Sequence, residues 1–274
     1  MNTATSSWIP RSRINFAIGI ALVSAVASVV GSVWSLAALA LLVPALGAAW
    51  VAFLILWIRQ QLSPQGGDWE RRIHGLVVSR LALRSDSGAS LLDIGCGNAS
   101  LLLALLGDTP AVRATGVDFW GENWDYAQSS CESRLASVGL HATFCRMDAA
   151  RLEFPDESFD AVVSVMCFHE VQTPPGAMVR GPLVALSEAL RVLRTGGDFV
   201  LVDRFGDKTD FGNSAELAAV LQATTGLHRE SLVATLGIPW PLKTKRALGP
   251  VEVLSGKKIS RAQRDISQRN NWVS

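Results

Sequence analysis

Between Ile14 and Ile58 the chain contains no Asp, Glu, Lys, Arg or His, an uninterrupted stretch of 45 residues without a charge. No pair among its four cysteines (Cys96, Cys131, Cys145, Cys167) stands at metal-ligand or redox spacing. That scatter argues against a zinc site or a disulfide framework and fits reduced thiols in a cytosolic domain. A net excess of charge is missing too: the formal value is +1 over 274 residues. No global field therefore draws the molecule toward nucleic acid. No internal repeat is visible. What remains is one charge-free end, followed by a sequence of ordinary polarity.

The charge-free end is long enough to matter. As a helix it would extend about 68 Å at 1.5 Å per residue. A bilayer's hydrocarbon core is about 30 Å thick and takes about 20 residues per crossing. One span is too few. Two fit, near 14–33 and 36–58, with a tight turn around Gly31 to Ser35. Pro44 then falls inside the second span, where it can kink the helix without ending it. Arg11 and Arg13 precede the pair and Arg59, Arg71 and Arg72 follow it, so both flanks are predicted to be cytoplasmic. Trp8 and Trp57 would lie at that interface and Trp34 at the opposite one. Gly19, Ala21, Ser24, Ala25 and Ser28 are small enough to let two helices approach closely. The rival is a cleaved signal peptide ending near Ala25-Val26-Ala27, which leaves the second apolar segment unexplained.

This divides the chain into a transmembrane hairpin (1–60), a domain from 61 to 255 and a basic tail from 256 to 274. The domain opens with an amphipathic helix, about Trp69 to Leu83, presenting Ile73, Leu76, Val77 and Leu81 on one face. From Ser90 strands and helices alternate. Apolar runs at Ser90–Ile94, Val112–Val117, Ala142–Arg146, Ala161–Val165 and Phe199–Val202 read as strands buried on both faces. Helical patterns separate them at Ser100–Leu106, Asn123–Val138 and Leu183–Arg194, the last ended by Gly196-Gly197. A helix near Ser214–Thr225 and strands near Arg229–Ala234 and Val251–Leu254 complete about seven strands. The fold class is α/β, a Rossmann-like, mostly parallel seven-stranded sheet behind an N-terminal two-helix transmembrane hairpin.

The motifs that carry chemistry sit at strand ends, where open α/β sheets bind ligands. Leu91-Leu92-Asp93-Ile94-Gly95-Cys96-Gly97-Asn98 is a strand running into a glycine turn. A side chain on that turn would collide with a cofactor lying against the backbone. Asp93 can accept from a cationic amino group. Ala114-Thr115-Gly116-Val117-Asp118 ends the next strand on a carboxylate about 20 residues beyond the glycines, suited to a ribose diol. Asp148-Ala149 ends the third and can address an adenine ring, by carboxylate and backbone N–H respectively. Downstream lie Leu152, Phe154-Pro155-Asp156, Ser158-Phe159-Asp160 and Ala189–Gly197.

Together, in this order, these motifs resemble class I S-adenosylmethionine-dependent methyltransferases of the methyltransferase type 11 kind, over about Trp69 to Leu254. The run Asp118-Phe119-Trp120-Gly121 and Phe168-His169-Glu170-Val171 are similar to a bacterial membrane-anchored group. The resemblance implies S-adenosylmethionine as methyl donor. It implies Asp93, Gly95 and Gly97 against its methionine part, Asp118 at the ribose, Asp148 and Ala149 at the adenine, and Phe119 or Trp120 packing beside the ring. Many members have a third glycine where this chain has Ala99.

In-line methyl transfer to an activated sulfonium needs positioning more than a fixed base. Phe168-His169-Glu170 lies beyond the fourth strand, where an acceptor meets the methyl. His169 or Glu170 is expected to orient or deprotonate it, His169 having the better unperturbed pKa. The competing reading is that both serve the loop. Asp203, ending the fifth strand, faces the same pocket or is structural. The absence of an Asn/Asp-Pro-Pro-aromatic run disfavours methylation of base or glutamine amino groups. The expected reaction is methylation of a small, lipid-like acceptor at the cytoplasmic face of the cell membrane, with no nucleic acid involved. One alternative is a non-catalytic S-adenosylmethionine-binding membrane protein. The other is a nicotinamide oxidoreductase, which Ser100 opposes because it stands where that fingerprint's last glycine falls.

Overall fold

The computed structural model of the chain describes residues 11–32, 42–63, 66–81, 88–121, 127–245, 247–260 and 263. Two compact units are present, one running to Arg71 and the other starting at Arg72.

The first unit is built on helices α1 (Arg11–Ser32) and α2 (Leu42–Gln61), which pack on each other. Small side chains lie inward: Ser28, Ala45 and Ala52 are buried, and Ala21, Ser24 and Ala25 are half-buried. Gly19 is not at the closest approach, since a Cβ there would meet nothing within 4 Å. Large apolar groups point outward, with Phe16 73% and Leu46 69% exposed, and Trp50 stacks on Phe53 on that outer surface. Among the described residues one stretch, Val43–Gln61, is long and apolar enough to cross a membrane, and α1 offers only the shorter Ile18–Val30. The expected spans, near 14–33 and 36–58, thus meet one such stretch and one shorter one. Residues 36–41 of the expected second span lie outside the described residues, and Pro44 lies in the described part of α2. Trp8, Trp34 and the greater part of the expected turn lie outside the described residues.

In the second unit, helix α3 (Trp69–Arg80) buries Ile73 and Val77 completely, together with His74. A seven-stranded sheet follows: β1 (Ser90–Ile94), β2 (Arg113–Asp118), β3 (Thr143–Arg146), β4 (Phe159–Val165), β5 (Leu193–Asp203), β6 (Thr224–Ser231) and β7 (Glu252–Lys258). Their order is β3-β2-β1-β4-β5-β7-β6. The first five strands run parallel and β7 enters antiparallel to both neighbours. The linking helices are α4 (Ser100–Asp108), α5 (Gln128–Ala136), α6 (Gly181–Val192), α7 (Lys208–Phe211), α8 (Ser214–Leu221) and α9 (Leu232–Leu236). Leu183, Leu186 and Leu190 of α6 pack onto Val162, Phe199 and Leu201 of the sheet. Each such fully buried side chain stabilises the fold by about 1.5–3 kcal/mol.

Several boundaries differ from the sequence reading. The glycines at 196 and 197 do not terminate α6, which ends at Val192; they lie in a bulge of β5, where pairing jumps from Phe159↔Leu193 to Ala161↔Asp198. Gly196 takes a φ of 81°, and a Cβ on Gly197 would lie 2.8 Å from the Asp160 carbonyl oxygen. Lys257 and Lys258 belong to β7 and not to a tail. Lys257 pairs with Asp198 at 2.8 Å, and Lys258 Nζ donates to the Leu193 carbonyl at 2.7 Å and to that of Arg191 at 3.2 Å, closing the bulge. The remaining tail cations Arg261, Arg264 and Arg269 lie outside the described residues.

Two motifs that looked separate along the chain face each other. Arg191 donates to the carbonyls of Leu152 and Phe154 and to Asp156, each at 2.8 Å, while Glu188 accepts from the Leu152 N–H. Asp160 takes the Ser90 N–H and hydroxyl, and Arg194 grips both Asp160 and the Glu157 carbonyl. These bonds hold the stretch after β3 against the sheet.

Candidate functional site

The parallel strands β1, β2 and β4 end together, and their tips are cross-tied. Ser164 of β4 donates to the Ile94 carbonyl at 2.8 Å. The N–H groups of Gly95 and Cys96 both reach the Val117 carbonyl, at 2.8 and 3.0 Å. Gly95 has a φ of 75°, and a Cβ on it would sit 2.3 Å from Cys167 Cβ. Only glycine lets the β1 tip turn while β4's continuation lies so close.

Three non-glycine residues at these tips also occupy the left-handed region: Ala99 (φ 62°), Trp120 (φ 43°) and Met166 (φ 57°). Such conformations cost on the order of 1–2 kcal/mol each and persist where surroundings enforce them. Ala99 thus stands in a conformation that favours glycine, where the resemblance expects one. Trp120 is held by two bonds: its N–H donates to Asp118 Oδ1 at 2.8 Å and its indole Nε1 donates to the Gly97 carbonyl at 3.0 Å. Asp118 Oδ2 accepts from the Gly97 N–H at 2.8 Å. Asp118 and Trp120 therefore brace the glycine turn, a duty the sequence reading did not foresee. Cys131 of α5 adds a third tie, its Sγ lying 3.1 Å from the same Gly97 oxygen.

Asp93 lies beneath this turn, 1% exposed, and its Oδ2 has no hydrogen-bond partner. Burial, then the Asp118 carboxylate, push it up to about 8. A buried carboxylate left open on one side is costly unless a cation meets it. At the next tip, Met147 N–H donates to the Asp118 carbonyl at 3.1 Å, which sets Asp148 beside β2's end. Asp148 is exposed, its Oδ1 accepting from the Ala150 N–H at 2.8 Å. Ala149 packs against the core. Phe119 is 61% exposed with the Arg146 guanidinium over its ring at 5.2 Å.

Beyond β4, a single 3-10 turn (Phe168–Glu170) carries the candidate acceptor-side residues. His169 Nδ1 lies 2.8 Å from Asp203 Oδ1, and its Nε2 lies 3.3 Å from Glu170 Oε1. Asp203 is fully buried; its Oδ2 accepts from the Phe168 N–H at 2.7 Å and its Oδ1 from the Arg204 N–H at 2.7 Å. Burial alone would lower His169. Asp203, then Glu170, outweigh it and raise the imidazole to about 10. The neutral-pH titration expected of His169 is therefore not what its surroundings dictate: it rests as an imidazolium clamped by two carboxylates. Cys167 shows how close the parts are, since burial and then Asp118, Asp203, Asp93 and Glu170 all raise its thiol well above the ordinary range. The structure thus gathers Asp93, Gly95, Gly97, Asp118, Trp120, His169 and Glu170 at one edge. Phe119, Asp148 and Ala149 lie at the outer tips.

With this geometry in hand, comparison with known proteins is informative. Residues 92–201 match a family described as "methyltransferase domain". That stretch is therefore similar to methyltransferase domains. The phosphatidylethanolamine N-methyltransferase of Cereibacter sphaeroides is 33% identical over 146 residues, covering 52% of this chain and 64% of that protein. The demethylmenaquinone methyltransferase of Thermus thermophilus is 30% identical over 135 residues, 49% of this chain and 53% of that one. The chain thus spans less than two thirds of these relatives' own length. A geranyl diphosphate methyltransferase crystallised with its substrate and sinefungin superposes with a TM-score of 0.51 at 13% identity, over 72% of this chain and 81% of that one. That likeness is one of fold. The matched stretch begins in β1 and ends within β5, so it includes the tips of β1 to β4 and stops two residues short of Asp203.

Proposed function

We propose that this chain binds S-adenosylmethionine at the tips of β1, β2 and β3 and methylates a small, membrane-partitioned acceptor beside His169 and Glu170. Asp93 carries the reading. Its open Oδ2, buried beneath a glycine turn that admits no side chain, fits an ammonium group such as the cofactor's methionine end bears. Gly95 and Gly97 put no side chain in the way of that end. Asp118 has a lone pair remaining on each oxygen for a ribose diol after accepting one backbone N–H apiece. Phe119 offers an aromatic face, and Asp148 and Ala149 offer an acceptor and a backbone donor for the adenine.

Bound there, the cofactor supplies a sulfonium methyl already activated for displacement. The chain's own residues position and desolvate the acceptor. Asp203 holds His169 charged and in one orientation, and His169 in turn holds Glu170. Glu170, with its side chain 48% exposed, presents its carboxylate to orient the acceptor and receive its proton. His169, charged at rest, serves as a hydrogen-bond donor.

The membrane part of the reading is that α1 and α2 are two spans with the domain on the cytoplasmic side. Their 22 and 20 residues are each long enough to cross a core of about 30 Å. Their small groups face inward and their large apolar groups outward, the arrangement suited to lipid. The relatives named for a phospholipid and a quinone favour a lipophilic acceptor.

Calorimetry with S-adenosylhomocysteine tests the cofactor site: the unaltered chain binds and Asp93→Asn loses at least about tenfold in affinity, as expected for one charge-assisted bond. No binding by a folded, unaltered chain overturns the assignment. Mass spectrometry of lipid extracts with and without the protein then seeks the acceptor as a gain of one CH₂.

A further inference from the structure

Between the 3-10 turn and α6 the chain makes a loop whose chemistry the cofactor site does not use. Residues 171–179, Val-Gln-Thr-Pro-Pro-Gly-Ala-Met-Val, carry no charge, and every residue from Gln172 to Arg180 is exposed. Met178 is 101% exposed and Val179 51%. Scattered exposed apolar residues are normal, but an apolar tip with no polar relief marks an interaction site.

The loop is clamped at its base. Gly181 N–H donates to Thr173 Oγ1 at 2.8 Å, and a Cβ on Gly181 would lie 2.4 Å from the Gln172 carbonyl oxygen. The two ends therefore touch, as in a compact surface loop. Within it Ala177 N–H donates to the Pro174 carbonyl at 3.1 Å, and Pro174-Pro175 stiffens the rise. So built, the tip cannot fold back to bury Met178. Charged groups of both signs stand at its foot: Arg180, which donates to the Thr209 carbonyl at 2.9 Å and lies 3.6 Å from Glu216, and exposed Lys208 between Asp207 and Thr209. An apolar apex over a charged, polar foot matches the layering of a bilayer surface, hydrocarbon within and polar headgroups outside.

We infer that the tip Pro174–Val179 enters the interfacial layer of a lipid bilayer, a second membrane contact beside α1 and α2. It stands only a few residues after Glu170, so its insertion presents the acceptor end of the sheet to the lipid. The inference rests on the reading that the chain works at a membrane, and its test separates the two.

The full chain is reconstituted into phosphatidylcholine–phosphatidylglycerol vesicles with an environment-sensitive fluorophore on Met178→Cys, Leu46→Cys or Val138→Cys. The unaltered chain, taken through the same labelling, corrects for native thiols. Leu46 lies on the outer face of α2, and Val138 is 58% exposed far along the chain from the loop. The label at 178 is expected to shift to the blue and lose most of its emission to lipids with a nitroxide near the headgroup. The label at 46 responds to nitroxides deep in the acyl region, and the label at 138 to neither. If 178 behaves like 138 while 46 is quenched, the loop proposal falls and the membrane reading stands. If 46 is silent as well, both fall. Shielding of 178 that grows with protein density instead of with lipid assigns the tip to a second copy and also overturns the proposal.

Discussion

Replacing Asp203 by Asn should weaken His169's hold on its proton. Asp203 is 1% exposed and its Oδ1 lies 2.8 Å from His169 Nδ1, so the substitution removes a charge without removing volume. The imidazole's rise from 6.5 to about 10, at about 1.36 kcal/mol per unit, corresponds to roughly 5 kcal/mol of preference for the charged ring. Without the Asp203 charge, only Glu170 opposes desolvation, and the ring's pKa falls from about 10. The sign for stability follows from linkage. A histidine whose folded pKa lies above its unfolded one stabilises the fold fully below about pH 6.5, and that contribution fades as pH climbs toward 10. Asp203→Asn should lessen that slope and leave the protein flatter across this window. Imidazole resonances of the detergent-solubilised chain, with His169 identified by His169→Gln, give the direct assay. The unaltered ring should remain protonated past pH 9, and the variant's should titrate at clearly lower pH. A normal titration of His169 in the unaltered chain would refute the clamp.

Three further outcomes follow from the same site. Because Asp93 is raised to about 8, cofactor binding at pH 7 should release close to one proton, and affinity should climb with pH until about 8 and then level; calorimetry in buffers of differing ionisation enthalpy measures the proton, and a heat independent of buffer contradicts it. The same shift means that Asp93 weakens the cofactor-free fold as pH rises from about 4 to 8, since the unfolded carboxyl ionises freely. Gly95→Ala should destabilise by about 2–4 kcal/mol, combining left-handed strain with overpacking on Cys167. Adding Cys167→Gly should recover only the packing part, and a thermal midpoint that is unchanged in the single variant, or fully restored in the double, counts against this account. Arg191→Met should cost about 2 kcal/mol or more, through lost charge-assisted bonds to the 152–156 segment. Amide exchange there should accelerate while β1 stays protected; unchanged exchange would show that the segment holds itself.

Much of the fold could be read from local pattern, and the misses have physical causes. β1 is legible to the residue because Leu91, Leu92 and Ile94 are all buried, and β2 and β3 to within one because each keeps a buried apolar centre between turn signals. β6 was misplaced because Thr224–Ser231 has almost no buried residue and so no hydrophobic signal. Phe159 and Asp160 were assigned to a motif rather than to β4, since the aspartate's bonds to Ser90 are made across the sheet. The cofactor-side motifs were legible because each lies within one strand and its turn. Asp203's partnership with His169 was not, since it depends on the β4–β5 register that sets Val165 opposite Val202. The ties from Trp120 and Cys131 to Gly97 were equally hidden, each being a contact between elements that share no local pattern.

The place of β7 constrains the timing of assembly. It is last in the chain among the strands, yet it sits between β5 and β6. As the polypeptide leaves the ribosome, β6 therefore emerges with no neighbour to pair with, and β5 keeps an open edge. Both stay uncovered until Glu252–Lys258 has appeared and slotted between them, when Lys258 also seals the bulge beside Leu193. α1 and α2 have been synthesised long before. The sheet would thus be finished only by its last strand, with its open edges exposed to aggregation in the interval.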